Sequence, residues 1–395
     1  MKKPALIFLC LFLNSVTVYA ESAIPQPKVA ATGAVLMDAE TGRVLWGKNE
    51  HAPMAMASTT KIMTAVLALE SGRAEETVTV SKRAVSAPPV EMGLTSGEKI
   101  KLGDLTLALM LESKNDAAVA IAEHLGGSVE EFCRQMTAKA KEIGAKDTLF
   151  VTPNGLDAGG HHSTAYDLAL IARYALTVPG FAELTNTRNA HFSSDRRAYS
   201  LQNYNRLLRE YAGANGVKTG FTGRAGHCFV GAAKRGEMQL ISVVLASGWG
   251  ARGKAQKWAD TKAVLDFGFA HYGYETVLSA GDRAGTLPVT RSRSASVDFI
   301  YDGGLRIPMN RDEKETVSVR LDVPDALPAP VQKGDAVGTA RVFVGDFPCG
   351  EIKLITLGGA DRHDLKTSME KFLDAWIGQG TRQPVKTALP EFPPR

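Results

Sequence analysis

Met56-Ala57-Ser58-Thr59-Thr60-Lys61-Ile62-Met63 is the stretch from which the rest of the chain can be ordered. A serine and a lysine three residues apart share one face of a helix, a turn from each other. A lysine in a partly desolvated pocket beside other cations loses its proton near neutral pH and can activate that hydroxyl. Ile62, Met63, Ala65, Val66, Leu67 and Leu69 follow, apolar on nearly every face, so the helix expected from Ser58 to Glu70 belongs in a core. Ser58 would then lie at the helix N-terminus, where unpaired N–H groups favour a developing oxyanion. The same Ser-x-x-Lys spacing recurs at Ser96–Lys99 and Ser368–Lys371, so spacing alone does not choose among the three.

The surroundings do. Upstream, Val35-Leu36-Met37 and Val44-Leu45-Trp46 flank a turn-rich spacer at 38–42 and predict a β-hairpin. Ser96–Lys99 has the composition of a surface turn, with no apolar helix behind its serine. Leu105 to Leu111 is helical in pattern and stops at Ser113-Lys114-Asn115-Asp116, with a second helix from Ala117. Val129 to Ile143 predicts a third, with Phe132, Met136 and Ile143 inward. Thr152-Pro153-Asn154-Gly155 reads as a turn, and Thr164 to Leu176 as a helix capped by Ser163 or Thr164. Gly216 to Phe221 is strand-like; 226–233 and 238–246 are apolar strands joined by a tight turn; Thr261 to Phe269 returns to helix. Strands at both ends of a helical middle imply an α+β domain over 21–275, one antiparallel sheet covered by helices.

Short β-prone pieces at 286–289, 296–301, 316–321, 337–344 and 350–356 predict a small C-terminal all-β domain, 276–360. In 361–395, Leu365, Met369, Phe372, Leu373, Trp376 and Ile377 recur at helical spacing before a proline-rich tail expected to be disordered. Ser368–Lys371 lies on that amphipathic helix and has no companion motif. The helix suits either peripheral contact with a membrane or docking on protein.

The bulk numbers limit the function classes. With 395 residues, 44% hydrophobic and 22% charged, the chain can form two domains. A net charge of +4 without a long basic run argues against nucleic-acid binding. Lys2 and Lys3 before an apolar run, then Val18-Tyr19-Ala20, predict a secretory signal over 1–20 and hence export to the cell envelope. Cys10 would leave with it, and Cys133, Cys228 and Cys349 read as scattered buried thiols. His161 and His162 sit in a glycine-flanked loop without a third ligand at metal spacing, and no cofactor is expected.

Three motifs stand in order: Ser58-Thr59-Thr60-Lys61, Ser113-Lys114-Asn115 and Lys218-Thr219-Gly220. With Met110 to Ala118, Gly160 to Asp167 and Asn215 to Thr222, they resemble the serine penicillin-recognising enzymes. Among these the chain looks most like the low-molecular-mass D-alanyl-D-alanine carboxypeptidases of peptidase family S11, and Ala329 to Asp335 resembles that family's C-terminal domain. The resemblance implies a serine β-lactamase/transpeptidase-like fold and removal of the terminal D-alanine from peptidoglycan stem pentapeptides. It implies Ser58 as nucleophile, Lys61 as general base and Ser113 as proton relay. Asn115 would bond both Lys61 and the substrate. Lys218 and Thr219 would meet the substrate carboxylate, Gly220 would permit close approach, and the N–H groups of Ser58 and Phe221 would form the oxyanion hole. β-Lactams would acylate the same serine, and the enzyme would sit against the outer leaflet of the cytoplasmic membrane.

One departure concerns substrate choice. Many members carry an arginine near the carboxylate pocket where Lys257 stands here, unless Arg252 takes that part. Rival readings are a D,D-endopeptidase, a β-lactamase and an inactive wall-binding scaffold. The loop 150–164 has no glutamate to position a deacylating water, and endopeptidase relatives usually lack the β domain; the complete motif set speaks against the scaffold.

Overall fold

The structure, a computed structural model, describes residues 24–363 together with 366, 368, 369, 372, 373, 376 and 377. The expected signal segment and proline-rich tail lie outside the described residues, as do Leu365 and Lys371. The first sheet contains β1 (Gly33–Asp38), β2 (Val44–Lys48), β3 (Ala214–Thr222), β4 (Gly226–Arg235) and β5 (Met238–Leu245). Their spatial order is β2-β1-β5-β4-β3, every neighbour antiparallel.

Both faces of this sheet are covered, which is why its strands read as continuous apolar runs. Val35 and Met37 on β1, Val230 and Ala232 on β4, and Ile241, Val243 and Leu245 on β5 join the core of the helical middle. Their neighbours Leu36, Phe229, Ala233, Leu240 and Val244 point to the opposite face. There they pack with Trp258, Val264, Leu265 and Phe267 of the C-terminal helix of this part, Gly250–His271. The helical middle supplies α1 (Lys61–Glu70), α2 (Leu102–Leu111), α3 (Asn115–Gly126), α4 (Val129–Ile143) and α5 (Ala165–Ala175); Gly250–His271 is α6. Thr164 caps α5 by accepting the Asp167 N–H, as its sequence position suggests.

Three expectations need correction. Ser58 does not open an α-helix: Ala57–Thr60 is a separate 3-10 turn, entered through Ala57 at φ +49°, and α1 starts at Lys61. α3 begins at Asn115, two residues before Ala117, because the Asn115 N–H finds an acceptor outside the helix, the Val90 carbonyl at 2.7 Å. α6 starts at Gly250, eleven residues before Thr261; Gly253 reads as a breaker but is needed where the helix crosses Gly248, whose carbonyl carbon lies 2.2 Å from a Cβ built there. Between 187 and 213, for which the sequence suggests no element, Asn189–Ser193 and Ala198–Gln202 form a hairpin.

The C-terminal part is built from β6 (Gly273–Leu278), β7 (Arg283–Thr290), β8 (Ser296–Tyr301), β9 (Leu305–Met309), β10 (Val317–Asp322), β11 (Leu327–Pro328), β12 (Ala336–Val344) and β13 (Phe347–Thr356). Six of these form one sheet, β10-β12-β13-β8-β7-β11, while β6 pairs with β9. β6 and β9 have no counterpart in the sequence reading, because Pro308 and the polar face of 273–278 mask their alternation. Tyr274 Oη donates to Asp38 Oδ2 at 2.7 Å and Tyr272 Oη to the Leu45 carbonyl at 2.8 Å, fastening this part to β1 and β2. Buried Arg43 donates to the Pro308 carbonyl and pairs with Glu313 at the same junction.

Candidate active site

The 3-10 turn carrying Ser58 is pressed between two glycines. A Cβ on Gly220 would lie 3.0 Å from the Ser58 nitrogen, and one on Gly155 only 2.0 Å from the Ala57 oxygen. Gly155 also has φ +85°, a conformation L side chains rarely adopt. β3, the edge strand holding Lys218-Thr219-Gly220-Phe221, therefore runs directly against the serine, its outer edge open. A sheet edge of this kind can add one extended peptide strand.

Lys61 is fully buried, and its Nζ lies 2.9 Å from Ser58 Oγ, 2.7 Å from Asn115 Oδ1 and 2.6 Å from the Asn154 carbonyl. Two of these three partners can only accept. A neutral amine has two hydrogens, so donating them to Asn115 and Asn154 leaves its lone pair facing the Ser58 hydroxyl. Burial first, and the Lys218 charge second, hold the Lys61 ammonium well below its ordinary value; Asp116 opposes them. The surroundings thus favour the neutral amine, which this geometry accommodates.

Asn115 meets Lys61 as expected, its Oδ1 accepting from Nζ at 2.7 Å. Both hydrogens of its Nδ2 are engaged, by the Pro88 carbonyl at 2.9 Å and the Pro89 carbonyl at 3.0 Å. It orients Lys61 and ties it to the 88–90 segment. Asp116 holds the continuation of that segment, accepting the N–H groups of Met92, Gly93 and Leu94. Ser113 stands between α2 and α3 at φ +65°, half-buried on the cleft wall.

Lys218 is buried behind β3 and donates to its neighbour's carbonyl, Thr219 O, at 3.1 Å. Burial and then the Lys257 charge bring its pKa down to about 7. Lys257, mostly buried, lies over the Trp258 ring and is itself lowered to about 8, first by burial and then by Lys254 and Arg206. Lys257 lines the cleft, whereas Arg252 is exposed on the first turns of α6 and does not. The lysine, then, stands where the carboxylate-binding arginine was sought. The cleft, about 530 Å³, is lined by Ser58, Ser113, Thr219, Gly220, Phe221 and Lys257 among others. All eight residues singled out in the sequence converge here, with Lys61, Asn115 and Lys218 just behind the wall.

Other participants were missed. The Asn154 carbonyl is aimed at Lys61 by the turn 152–155, whose sequence signals a turn but not its target. Arg206, Arg209 and Lys254 also line the cleft, brought there by the unassigned 187–213 segment and by the early turns of α6. His161 is structural, as expected: its Nδ1 accepts the Val151 N–H and its Nε2 meets Thr60 Oγ1 at 2.9 Å, and burial lowers its pKa to about 4. Cys133, Cys228 and Cys349 are buried free thiols. Among the described residues no cluster of His, Cys, Asp or Glu could hold a metal ion.

Comparison with known proteins gives consistent matches. A family model for D-alanyl-D-alanine carboxypeptidases, peptidase S11, matches residues 20–248, and one for the C-terminal domain of penicillin-binding protein 5 matches 272–361. The D-alanyl-D-alanine carboxypeptidase DacF of Bacillus subtilis is 34% identical over 316 residues, 78% of this chain and 80% of the relative. DacA of Escherichia coli is 33% identical over 328 residues, 79% of each chain. The crystal structure of penicillin-binding protein 5 from Haemophilus influenzae superposes with a TM-score of 0.71 at 27% identity, covering 86% of this chain and all of that one.

Proposed function

The chain belongs to the D-alanyl-D-alanine carboxypeptidase family of S11 peptidases, and from that premise we propose how its own residues perform the reaction. It is a serine-type carboxypeptidase that removes the terminal D-alanine of peptidoglycan stem pentapeptides and is acylated by β-lactams. The observation that carries the proposal is Lys61: a buried amine whose two carbonyl-type partners leave one lone pair, 2.9 Å from a serine oxygen.

Ser58 Oγ attacks the carbonyl between the two D-alanines while Lys61 takes its proton. The tetrahedral oxyanion is held by the N–H groups of Ser58 and Phe221, and removal of one such donor typically costs about 10²–10³ in rate. Ser113, on the cleft wall between α2 and α3, passes the proton to the leaving amine. Collapse releases D-alanine and leaves an acyl-enzyme, which water hydrolyses. Thr219 and Lys257 receive the terminal carboxylate, with Lys218 supplying positive charge from behind. The peptide adds to the outer edge of β3, and Gly220 keeps that edge close to Ser58.

Among the described residues no helix is long and apolar enough to cross a membrane. Phe372 and Trp376, helical and exposed at 73% and 70%, support a peripheral contact of the terminal helix with the outer leaflet. The signal-like segment at 1–20 supports export to the periplasm or extracytoplasmic envelope. Labelling with a fluorescent penicillin tests the nucleophile: one covalent adduct is expected on the unaltered protein and none on Ser58→Ala. An adduct on Ser58→Ala would refute the assignment.

The lysine at 257 predicts an alkaline limit. An ammonium is charged below its pKa, so the carboxylate anchor is present below about 8 and fades above it. Lys218, Lys254, Arg206, His227 and Cys228 are the titratable or charged groups around it, and the cations among them push its pKa the same way that burial does. Lys257→Arg should keep the charge and move the alkaline limb of kcat/KM upward by at least about one pH unit. An unmoved limb in that variant would show that another group sets it.

A further inference from the structure

The cleft holds more positive charge than one terminal carboxylate needs. Arg206, Arg209, Lys254 and Lys257 line it, and the only carboxylate on the same wall, Glu112, is occupied by Lys114 at 3.1 Å and by the Gln202 N–H at 2.8 Å. Arg206 has a partner, donating to Glu210 Oε1 at 2.7 Å, while Glu210 Oε2 takes Lys262. Arg209 and Lys254 have no carboxylate partner among the described residues, and both are exposed to the cleft. Arg206 and Lys254 both act on the buried Lys257 as repelling charges, so the arrangement is costly while the cleft is empty. A second anion in the cleft would relieve that repulsion.

We propose that Arg209 and Lys254 form a second carboxylate-recognising subsite, which makes this enzyme selective for peptides carrying a free carboxylate in addition to the terminal one that Thr219 and Lys257 receive. The inference rests on the carboxypeptidase reading above. The ligand is an acidic peptide, with the second carboxylate on a side chain next to the scissile bond. A guanidinium fork and an ammonium lining one cleft suit a carboxylate, whereas a carboxamide of equal size offers no opposite charge and only one acceptor oxygen. Arg209 lies on the short helix Leu207–Glu210 and Lys254 in the first turns of α6, both outside the Ser58–Lys61–Asn115 cluster. Their part is therefore specificity, not bond-breaking. Neither Arg209 nor Lys254 is signalled by any of the three motifs, and only the fold brings them together.

The test uses the full chain and four synthetic peptides. One pair ends in L-Glu-D-Ala-D-Ala or L-Gln-D-Ala-D-Ala, the other in D-Ala-D-Glu or D-Ala-D-Gln, so the two pairs place the carboxylate before or after the scissile bond. The unaltered protein should favour the acid over the amide in one pair by roughly three- to tenfold in kcat/KM, the range for a charge-assisted contact in a partly open cleft. The preference should reside in KM, shrink with added salt, and fall to near one in the Arg209→Gln/Lys254→Gln protein. Equal rates within both pairs, or a preference that the double variant retains, would overturn the subsite. Failure to cleave any of the four peptides would overturn the carboxypeptidase reading, and the subsite with it.

Discussion

Replacing Lys61 by methionine should leave a folded protein whose acylation by penicillin is slower by about 10²–10⁴, the usual worth of a positioned general base. Methionine matches the length of the lysine stem but leaves the Asn115 Oδ1 and Asn154 carbonyl without their donor, so acylation is compared on the folded fraction. A neutral Lys61 that donates to Asn115 Oδ1 and the Asn154 carbonyl keeps its lone pair for the Ser58 proton, 2.9 Å away. The same substitution has a signature in stability. Lys61 in the folded protein titrates well below 10.5, so between its folded value and that value the unfolded chain binds more protons. Stability of the unaltered protein therefore rises with pH through that window, and is lowest below the folded value. Lys61→Met removes this contribution, and its unfolding midpoint should vary less with pH. Acylation at the unaltered rate would remove Lys61 from the mechanism.

Gly155→Ala should be the most damaging single methyl in the catalytic part. The new Cβ would lie 2.0 Å from the Ala57 oxygen and 2.9 Å from the Ser58 nitrogen, in a backbone at φ +85°. Left-handed backbone costs a non-glycine residue about 1–2 kcal/mol, and overpacking a tight site adds about 1–3 kcal/mol. The only relief is movement of the Ala57–Thr60 turn or of the 152–155 loop, and either shift separates Ser58, Lys61 and the Asn154 carbonyl. Thermal unfolding should move down by roughly 5–15 °C, given about 2–4 °C per kcal/mol at this size. Penicillin acylation of the fraction still folded should fall as well. A variant with an unaltered midpoint and unaltered acylation would show that the turn is not wedged as described.

The site was more legible in the sequence than the fold was. Three motifs in order bring their residues to one cleft because each lies at a junction the sequence marks: the start of a buried apolar helix, a helix–helix break, and a strand. What the motifs could not carry was the direction of each contact. Asn115 also donates to Pro88 and Pro89, carbonyls that no pattern in the sequence connects to it. The Asn154 main-chain oxygen has no side-chain signature at all. In the fold, the sheet strands were readable because both faces are buried and apolar runs result. The hairpin Asn189–Ser193 with Ala198–Gln202 was not, since each strand has only two apolar inward positions, Ala190 and Phe192 facing Leu201 and Tyr199, too few for a clear alternation. α6 was shortened by its glycines, one of which proves to be a packing requirement against Gly248. Arg206, Arg209 and Lys254, unlike Lys257, lie in stretches the sequence left unread and became visible as cleft cations only in three dimensions.

The central claim is that Ser58, made nucleophilic by Lys61, carries the acyl group of a D-Ala-D-Ala peptide. Its most direct measurement is mass analysis of a peptidoglycan stem pentapeptide incubated with the unaltered protein and with Ser58→Ala. Loss of one D-alanine with the first and none with the second is the expected result. A pentapeptide left intact by the unaltered protein, or trimmed equally by Ser58→Ala, would contradict it.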